Sequence, residues 1–78
     1  PRTVIDYYIK EDCLVSANIY DVKGTLVKKF FPEFKVRGSH TILWGGRNYK
    51  GNKAPSGIYF FKIKVDNYVE SKKMLLVR

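Results

Sequence analysis

The chain has little of the chemistry on which most catalytic and metal-binding sites depend. Its 78 residues include one cysteine, one histidine and seven acidic residues. A single cysteine excludes an internal disulfide and a multi-cysteine zinc site. His40, Ser56 and Asp21 are the residue types of a hydrolase triad, but no nucleophile-elbow spacing surrounds Ser56. We therefore expect no catalytic residue, no metal ligands and no cofactor.

Long apolar runs and helical patterns are also missing. No apolar run approaches the roughly 18 residues of a membrane-spanning helix, and no segment shows a 3.6-residue apolar stripe with caps. The chain is nevertheless 45% hydrophobic and 15% aromatic, which indicates a folded rather than a disordered polypeptide. A chain this short buries only about 60–65% of its unfolded surface. We expect one small β domain spanning residues 1–78.

The central feature is SGIYFFKIKV at residues 56–65, whose β-branched and aromatic residues predict a strand. At period two, the predicted core face consists of Tyr59, Phe61, Ile63 and Val65. The opposite face begins apolar and ends with Lys62 and Lys64. A strand this apolar is predicted to have neighbours on both edges.

Five further strands follow from alternation and turn signals. They are predicted at residues 3–9, 13–20, 25–31, 39–44 and 68–77. Cys13 falls on a predicted buried face, which favours a small core residue over a reactive thiol. Pro32 is expected to end the third strand because proline cannot donate to a ladder, and Phe34 and Val36 are expected to anchor the following loop. Six strands without a long crossover predict an antiparallel sandwich or small barrel.

Turn and loop residues form a second set of candidates with structural roles. Gly24 can adopt a positive φ, and Asp21 can bond forward to the turn amides. Trp44 is predicted to plug one end of the sandwich. The glycines of the loop at residues 45–54, among them Gly51, are predicted to let the loop cross close over it, and Gly57 opens the central strand. In the alternative interpretation, an exposed Trp44 stacks on sugars or bases.

The last hairpin presents a conflict of register. A strict two-residue turn at residues 66–67 would place Glu70 and Lys72 beside core aromatic residues. We therefore expect a β-bulge between Glu70 and Lys73. The residues expected to point inward whichever turn is used are Met74 and Leu76.

Basic residues outnumber acidic ones by 15 to seven, for a net charge of +8. No basic run is longer than two residues, which is typical of a generally solvated basic surface. Lys62, Lys64, Lys72 and Lys73 could instead converge into a surface for a partner or for export machinery. Alternatively, these lysines protect the sheet from edge pairing. A small nucleic-acid-binding β-barrel that uses the charge and exposed aromatics is a further alternative.

Four motifs occur in a recognisable order. They are IYDVKG at residues 19–24, WGGRNYKG at 44–51, PSGIYFF at 55–61 and KKMLL at 72–76. Together they resemble the immunoglobulin-like domain of the flagellar hook-capping family and the similar C-terminal sorting domains of proteins exported by the bacterial type IX secretion system. The resemblance covers about residues 4–78. The chain departs from the usual pattern at Gly45 and Asn48, where acidic residues are common.

The resemblance implies a non-catalytic, immunoglobulin-like antiparallel β-sandwich of about six to seven strands. It also implies an accessory domain at the C-terminus of a larger secreted or cell-surface bacterial protein, acting in export, sorting, anchoring or assembly. The start at Pro1, without an initiator methionine or signal peptide, leads us to expect a fragment of a longer polypeptide.

The partners expected from this resemblance are proteins. They comprise the other domains of the parent protein and its secretion or assembly machinery, and self-association through edge strands is a further option. Nucleic acid is not an expected partner, and no membrane span is expected. A carbohydrate-binding β-sandwich that uses Trp44 remains an alternative function.

Overall fold

A computed structural model describes residues 3–78, which form six β-strands in two antiparallel sheets. The strands are β1 (Thr3–Ile9), β2 (Cys13–Asp21), β3 (Leu26–Lys35), β4 (Gly38–Trp44), β5 (Gly57–Val65) and β6 (Tyr68–Leu76). One sheet pairs β1 with β4, and the other has the order β3-β2-β5-β6. The predicted all-β antiparallel sandwich is confirmed. Within residues 3–78, no helix has the length and apolarity needed to cross a membrane.

β5 occupies an interior position, with β2 along one edge and β6 along the other. Tyr59, Phe61 and Ile63 are buried, while the residues between them are exposed. This alternation arises because successive side chains of a strand point to opposite faces. The prediction of a strand with neighbours on both sides is confirmed.

One hydrophobic core lies between the two sheets and receives side chains from all six strands and from the loop before β5. Its buried members are Ile5, Ile9, Val15, Ala17, Ile19, Val27, Trp44, Ala54, Tyr59, Phe61, Ile63 and Leu76. Ile19 and Phe61 are completely inaccessible to solvent, and burying a side chain of this size stabilises the fold by about 1.5–3 kcal/mol. No charged residue among residues 3–78 is buried.

The expectation that Pro32 ends the third strand is wrong, because β3 continues to Lys35. β3 is an edge strand, and its register with β2 shifts next to the proline: Val15 opposes Glu33, whereas Ala17 opposes Phe30. Pro32 therefore lies at a β-bulge on a strand with only one neighbour. At such a position the missing N–H removes no required ladder bond.

Phe34 and Val36 do not anchor the loop after β3, and their side chains are 65% and 59% exposed. Phe34 is a strand residue opposite Leu14. The short connection to β4 is held by polar contacts instead. The Arg37 amide donates to Asp12 Oδ1 at 2.8 Å, so a hydrogen bond performs the role that we had predicted for apolar packing.

The last hairpin has the strict two-residue turn, and the bulge expected between Glu70 and Lys73 is not found. Val65 opposes Tyr68, and the register continues without a shift to the pair Gly57 and Leu76. Asp66 in the turn adopts a φ of 56°, a left-handed conformation that Asp tolerates better than most residues.

The charged residues of β6 escape burial because β6 is the outermost strand of its sheet. The side chains of Lys72 and Glu70 are 45% and 47% exposed and form an ion pair of 3.7 Å. Lys72 Nζ also donates to the Asp6 carbonyl at 3.2 Å. Leu76 is buried and Met74 is partly buried against the core, as predicted.

Candidate interaction surface

The turn between β2 and β3 is stabilised by one carboxylate. Asp21 Oδ1 accepts hydrogen bonds from the amides of Lys23 and Thr25, both at 2.9 Å. The Gly24 amide donates to the Asp21 carbonyl at 3.0 Å, and Gly24 has a φ of 84°. Asp21 and Gly24 thus reverse the chain, the role expected of residues of these types in a turn.

Trp44 closes one end of the sandwich and is only 1% exposed. Its indole Nε1 donates to the Arg47 carbonyl at 2.9 Å. Its ring meets Tyr59 edge-on, with centroids 5.1 Å apart and an interplanar angle of 70°. Since a ligand can stack only on an accessible ring face, this geometry gives no support to a sugar- or base-binding Trp44.

Gly51, in the loop over Trp44, is required for its backbone conformation and not for a close approach. Gly51 has a φ of 85°, yet a Cβ placed there would meet no other atom within 4 Å. The Asn48 side chain organises the loop by accepting hydrogen bonds from the amides of Lys50 and Asn52. Glycine therefore suits position 51 because of the positive φ. A lack of space for a side chain is not the reason.

Gly57 and Phe61 are the two remaining candidates with structural roles, and both belong to β5. Gly57 begins the strand with a φ of 155° and opposes Leu76. Phe61 lies in the middle of the core with Phe30 as a tilted neighbour at 6.5 Å.

Three of the four predicted partner-surface lysines share one side of the molecule. Lys62 and Lys64 point outward from β5, and Lys73 opposes the outward-facing Phe60. Lys72 instead opposes the buried Phe61 and points to the other side of the sheet. The predicted cluster therefore divides into an outward group of three and one lysine at the inner rim.

Sequence reasoning missed several residues that the sheet brings to these lysines. We call the outward-facing side of the four-stranded sheet the outer face. Its lysines are Lys29, Lys62, Lys64 and Lys73. The apolar side chains on the same face include Leu14, Tyr20, Phe31, Phe34, Ile58, Phe60, Val69 and Leu75. Asn18 pairs with both Lys29 and Lys62. Alternation along each strand carries the signal for these residues, but only the pairing of β2 with β5 shows that they meet.

The outer face is electrostatically one-sided. Lys62 Nζ lies 5.4 Å from the centroid of the Tyr20 ring, and Lys29 Nζ lies 5.9 Å from that of Phe31, both within range of cation–π attraction. Within β2, β3, β5 and β6, no acidic residue occupies an outward position: Asp21, Glu33 and Glu70 oppose the buried Tyr59, Val15 and Ile63, respectively. The ion pairs within residues 3–78 involve Lys35 and Lys72, so the four outer lysines have no carboxylate partner.

Residues of the hydrolase-triad types are engaged in separate local contacts. His40 stacks on Tyr7 at 5.5 Å, and its Nε2 lies 2.6 Å from the Val36 carbonyl. Ser56 Oγ accepts a hydrogen bond from the Arg78 amide, while Asp21 caps its turn. This arrangement provides no nucleophile paired with a base.

Cys13 lies in a cleft of about 1110 Å³ that also contains Tyr7 and His40. The thiol is partly buried. Burial raises its pKa, and the negative charges of Asp66 and Asp12 raise it further. A raised pKa disfavours the thiolate, which is the reactive form. The geometry therefore favours a packing role for Cys13 over a nucleophilic one.

Comparisons with known proteins identify the fold family. The family model described as "FlgD Ig-like domain" matches residues 4–68. A solved structure of FlgD from P. aeruginosa is similar with a TM-score of 0.79 and 25% sequence identity, covering 97% of this chain and 61% of the FlgD chain. This chain therefore spans about three fifths of that protein. No curated protein matches.

These matches also decide two of the expectations drawn from the sequence. The resemblance to the flagellar hook-capping family is confirmed, and a domain of this kind is a non-catalytic accessory module. Because the family model matches most of the chain, this protein belongs to the FlgD Ig-like domain family.

Proposed function

We propose that this chain is a non-catalytic accessory domain of an exported bacterial protein and that it acts in flagellar hook assembly or in a related extracytoplasmic assembly. The family match over residues 4–68 carries this proposal. The structural similarity to FlgD supports it, since it extends over nearly the whole chain.

The geometry fits a domain that presents surfaces rather than one that encloses a ligand. The core is continuous between the two sheets, and Trp44 fills its end. The surfaces available to a partner are the outside of each sheet, the turns and the open cleft beside Cys13. Folded β-domains bind partners through surfaces of this kind, including sheet edges.

We also propose that the domain forms the C-terminal module of a larger protein. The FlgD chain extends beyond the region similar to this one, which supports a multidomain parent. In this proposal the partners are the other domains of the parent and the machinery that exports or assembles it. Recognition of the domain as a sorting signal, as in type IX secretion, is a narrower version of the same proposal.

The test is to delete this segment from the gene in its native host. Cell fractionation and intact-mass analysis would locate the parent protein, and electron microscopy would score surface assemblies. Retention inside the cell would support a sorting role. Normal export combined with defective assembly would support the assembly role.

A matched point variant separates a folded domain from a simple sequence tag. Ile19→Asp places a charge in the core and is expected to unfold the domain, because an unpaired buried charge costs several kcal/mol. It should therefore reproduce the deletion. Unchanged export and assembly in the deletion strain would overturn the proposal.

A further inference from the structure

We propose that the outer face docks an acidic protein surface whose carboxylates lie beside apolar side chains. This inference rests on the proposed function, because it names the partner chemistry for an assembly domain. It commits the lysines of the outer face, Lys29, Lys62, Lys64 and Lys73, to contact with another protein.

The first observation is that Lys62 and Lys64 lie on an interior strand. β5 has β2 on one edge and β6 on the other, so its backbone groups are not available for pairing with another sheet. Protection of an exposed edge can explain lysines on β6 or β3. It cannot explain the two lysines on β5.

The second observation is the uncompensated charge. Lys62 and Lys64 are two residues apart on the outward side of β5. Asn18 of β2 lies between Lys62 and Lys29, because it pairs with Lys62 on one side and with Lys29 on the other. Like charges at such positions repel one another. Lys35 and Lys72, which lie elsewhere, each have a glutamate within 4 Å. Other exposed lysines also lack a glutamate or aspartate partner, but the outer face places four such lysines on one side of a single sheet, and carboxylates from a partner would supply counter-charge there.

The third observation is an apolar region next to the lysines. Ile58 pairs directly with Leu75, and Phe60 pairs with Lys73. Ile58, Phe60 and Leu75 are 40%, 37% and 63% exposed. Interfaces between proteins typically have an apolar centre with a polar or charged rim. The outer face has both components, because its lysines lie next to exposed apolar side chains such as Val69, which pairs with Lys64.

The arrangement favours a protein over a nucleic acid. Base stacking requires free aromatic faces, but the Lys62 ammonium lies over the Tyr20 ring, and the Tyr20 hydroxyl accepts a hydrogen bond from Asn18 at 3.1 Å. The Lys29 ammonium likewise lies over the exposed Phe31 ring, 5.9 Å from its centroid. Beside Lys73, the exposed side chains of Ile58 and Leu75 are aliphatic and offer no stacking surface. Their contribution is instead the burial of apolar area, which a protein partner can match.

Photo-crosslinking in the native host tests this directly. A photoreactive residue replaces Ser71, which pairs with Lys62 on the outer face, in the full gene product. A second strain carries it at Ser39, an exposed residue of the other sheet. Mass spectrometry then identifies the crosslinked peptide. We expect adducts from position 71, and few from position 39, with a protein segment rich in Asp and Glu.

A charge-reversal variant and a matched control sharpen the test. Lys62→Glu, Lys64→Glu and Lys73→Glu together should reduce the adduct about tenfold or more, because the new carboxylates would face the carboxylates of the partner and repel them. The same change at Lys10, Lys23 and Lys53, all exposed outside the outer face, should alter it less than about twofold. Ile58→Thr with Leu75→Thr keeps the lysines and should also weaken the adduct.

Each outcome has a definite meaning. Adducts with nucleic acid, with a segment that is not acidic, or of equal yield in the charge-reversal and control variants would overturn the inference. Normal assembly in the charge-reversal strain, alongside a defect in the deletion strain, would reject the outer face while leaving the proposed function intact. Circular dichroism of each purified variant verifies that loss of the adduct does not reflect unfolding.

Discussion

The Tyr59 hydroxyl shows how much one polar atom can contribute at the end of a core. The ring is buried against Trp44, and the hydroxyl donates to the Pro55 carbonyl at 2.6 Å. Burial is the main reason that the pKa of Tyr59 is raised, and the charge of Asp21 adds to the effect. The folded state therefore favours the neutral phenol.

This linkage predicts a loss of stability at alkaline pH. Because the folded pKa of Tyr59 lies above the unfolded value of about 10, its contribution is complete below pH 10 and is lost as pH rises through the folded pKa. Tyr59→Phe should cost about 1 kcal/mol at neutral pH through the lost hydrogen bond. It should also make the alkaline decline in the free energy of unfolding less steep. Part of the decline should remain, because burial also raises the pKa of Tyr7.

Urea unfolding between pH 7 and 11 measures both effects. The control is Tyr49→Phe, at an exposed position, which should change the free energy of unfolding at pH 7 by less than about 0.5 kcal/mol. An equally steep alkaline decline in Tyr59→Phe and the parent would contradict the assignment.

Cys13 provides a second prediction at the scale of one residue. Its raised pKa and partial burial should make alkylation by iodoacetamide at pH 8 clearly slower than that of free cysteine. High salt should speed the reaction modestly, because it screens the negative charges of Asp12 and Asp66. Mass spectrometry over time follows the modification. Alkylation as fast as that of free cysteine would show that the thiol is accessible and ionised.

At the scale of single elements, the turn between β2 and β3 carries the clearest energetic prediction. Asp21→Ala removes the acceptor for the amides of Lys23 and Thr25 and should lower the free energy of unfolding by about 1–2 kcal/mol. Asp21→Asn keeps a side-chain oxygen and should lose less. Chemical denaturation measures all three proteins, with Glu11→Ala in the preceding turn as control. Equal losses for Asp21→Ala and Glu11→Ala would contradict the role of the carboxylate.

Local patterns predicted the elements well, because alternation and turn residues are properties of adjacent residues. The predictions of a strand end at Pro32 and of a bulge in the last hairpin were wrong. Whether proline breaks a strand depends on whether the strand has one neighbour or two, and whether Glu70 and Lys72 are buried depends on how far the opposite sheet extends. Both are properties of long-range pairing, which a single sequence does not display.

The same limit applies to the candidate surface. Lys62, Lys64 and Lys73 were predicted together because they belong to one hairpin. Lys29 and Tyr20 come from strands far away in sequence and join them only through the pairing of β2 with β5. Lys72 was wrongly grouped with them, since the predicted bulge obscured which face it occupies.

At the scale of the whole molecule, β5 links the core to the outer face. One side of this strand supplies buried Tyr59, Phe61 and Ile63, while its other side supplies exposed Lys62 and Lys64. A rigid interior strand holds outward side chains in fixed positions without requiring them for folding. The outer face can therefore be substituted with little effect on the core, which makes the crosslinking variants informative.

Arg78 couples the end of β6 to the loop over Trp44 and so closes the molecule at that end. Its amide donates to Ser56 Oγ at 3.0 Å, and its Nε donates to the Ala54 carbonyl at 2.5 Å. A second guanidinium nitrogen donates to the Gly46 carbonyl. The planar guanidinium holds two carbonyls with one side chain, a geometry that lysine does not reproduce.

We therefore expect Arg78→Ala to lower the free energy of unfolding by about 1–3 kcal/mol, because hydrogen bonds from a charged donor are lost and the Ala54 carbonyl loses its guanidinium donor. Arg78→Lys should recover less than half of that loss. Urea denaturation followed by Trp44 fluorescence reports on stability and on the loop together, and Arg37→Ala serves as an exposed control. If Arg78→Lys restores full stability, positive charge alone accounts for the effect. That result would contradict the role assigned to the guanidinium hydrogen bonds with the Ala54 and Gly46 carbonyls.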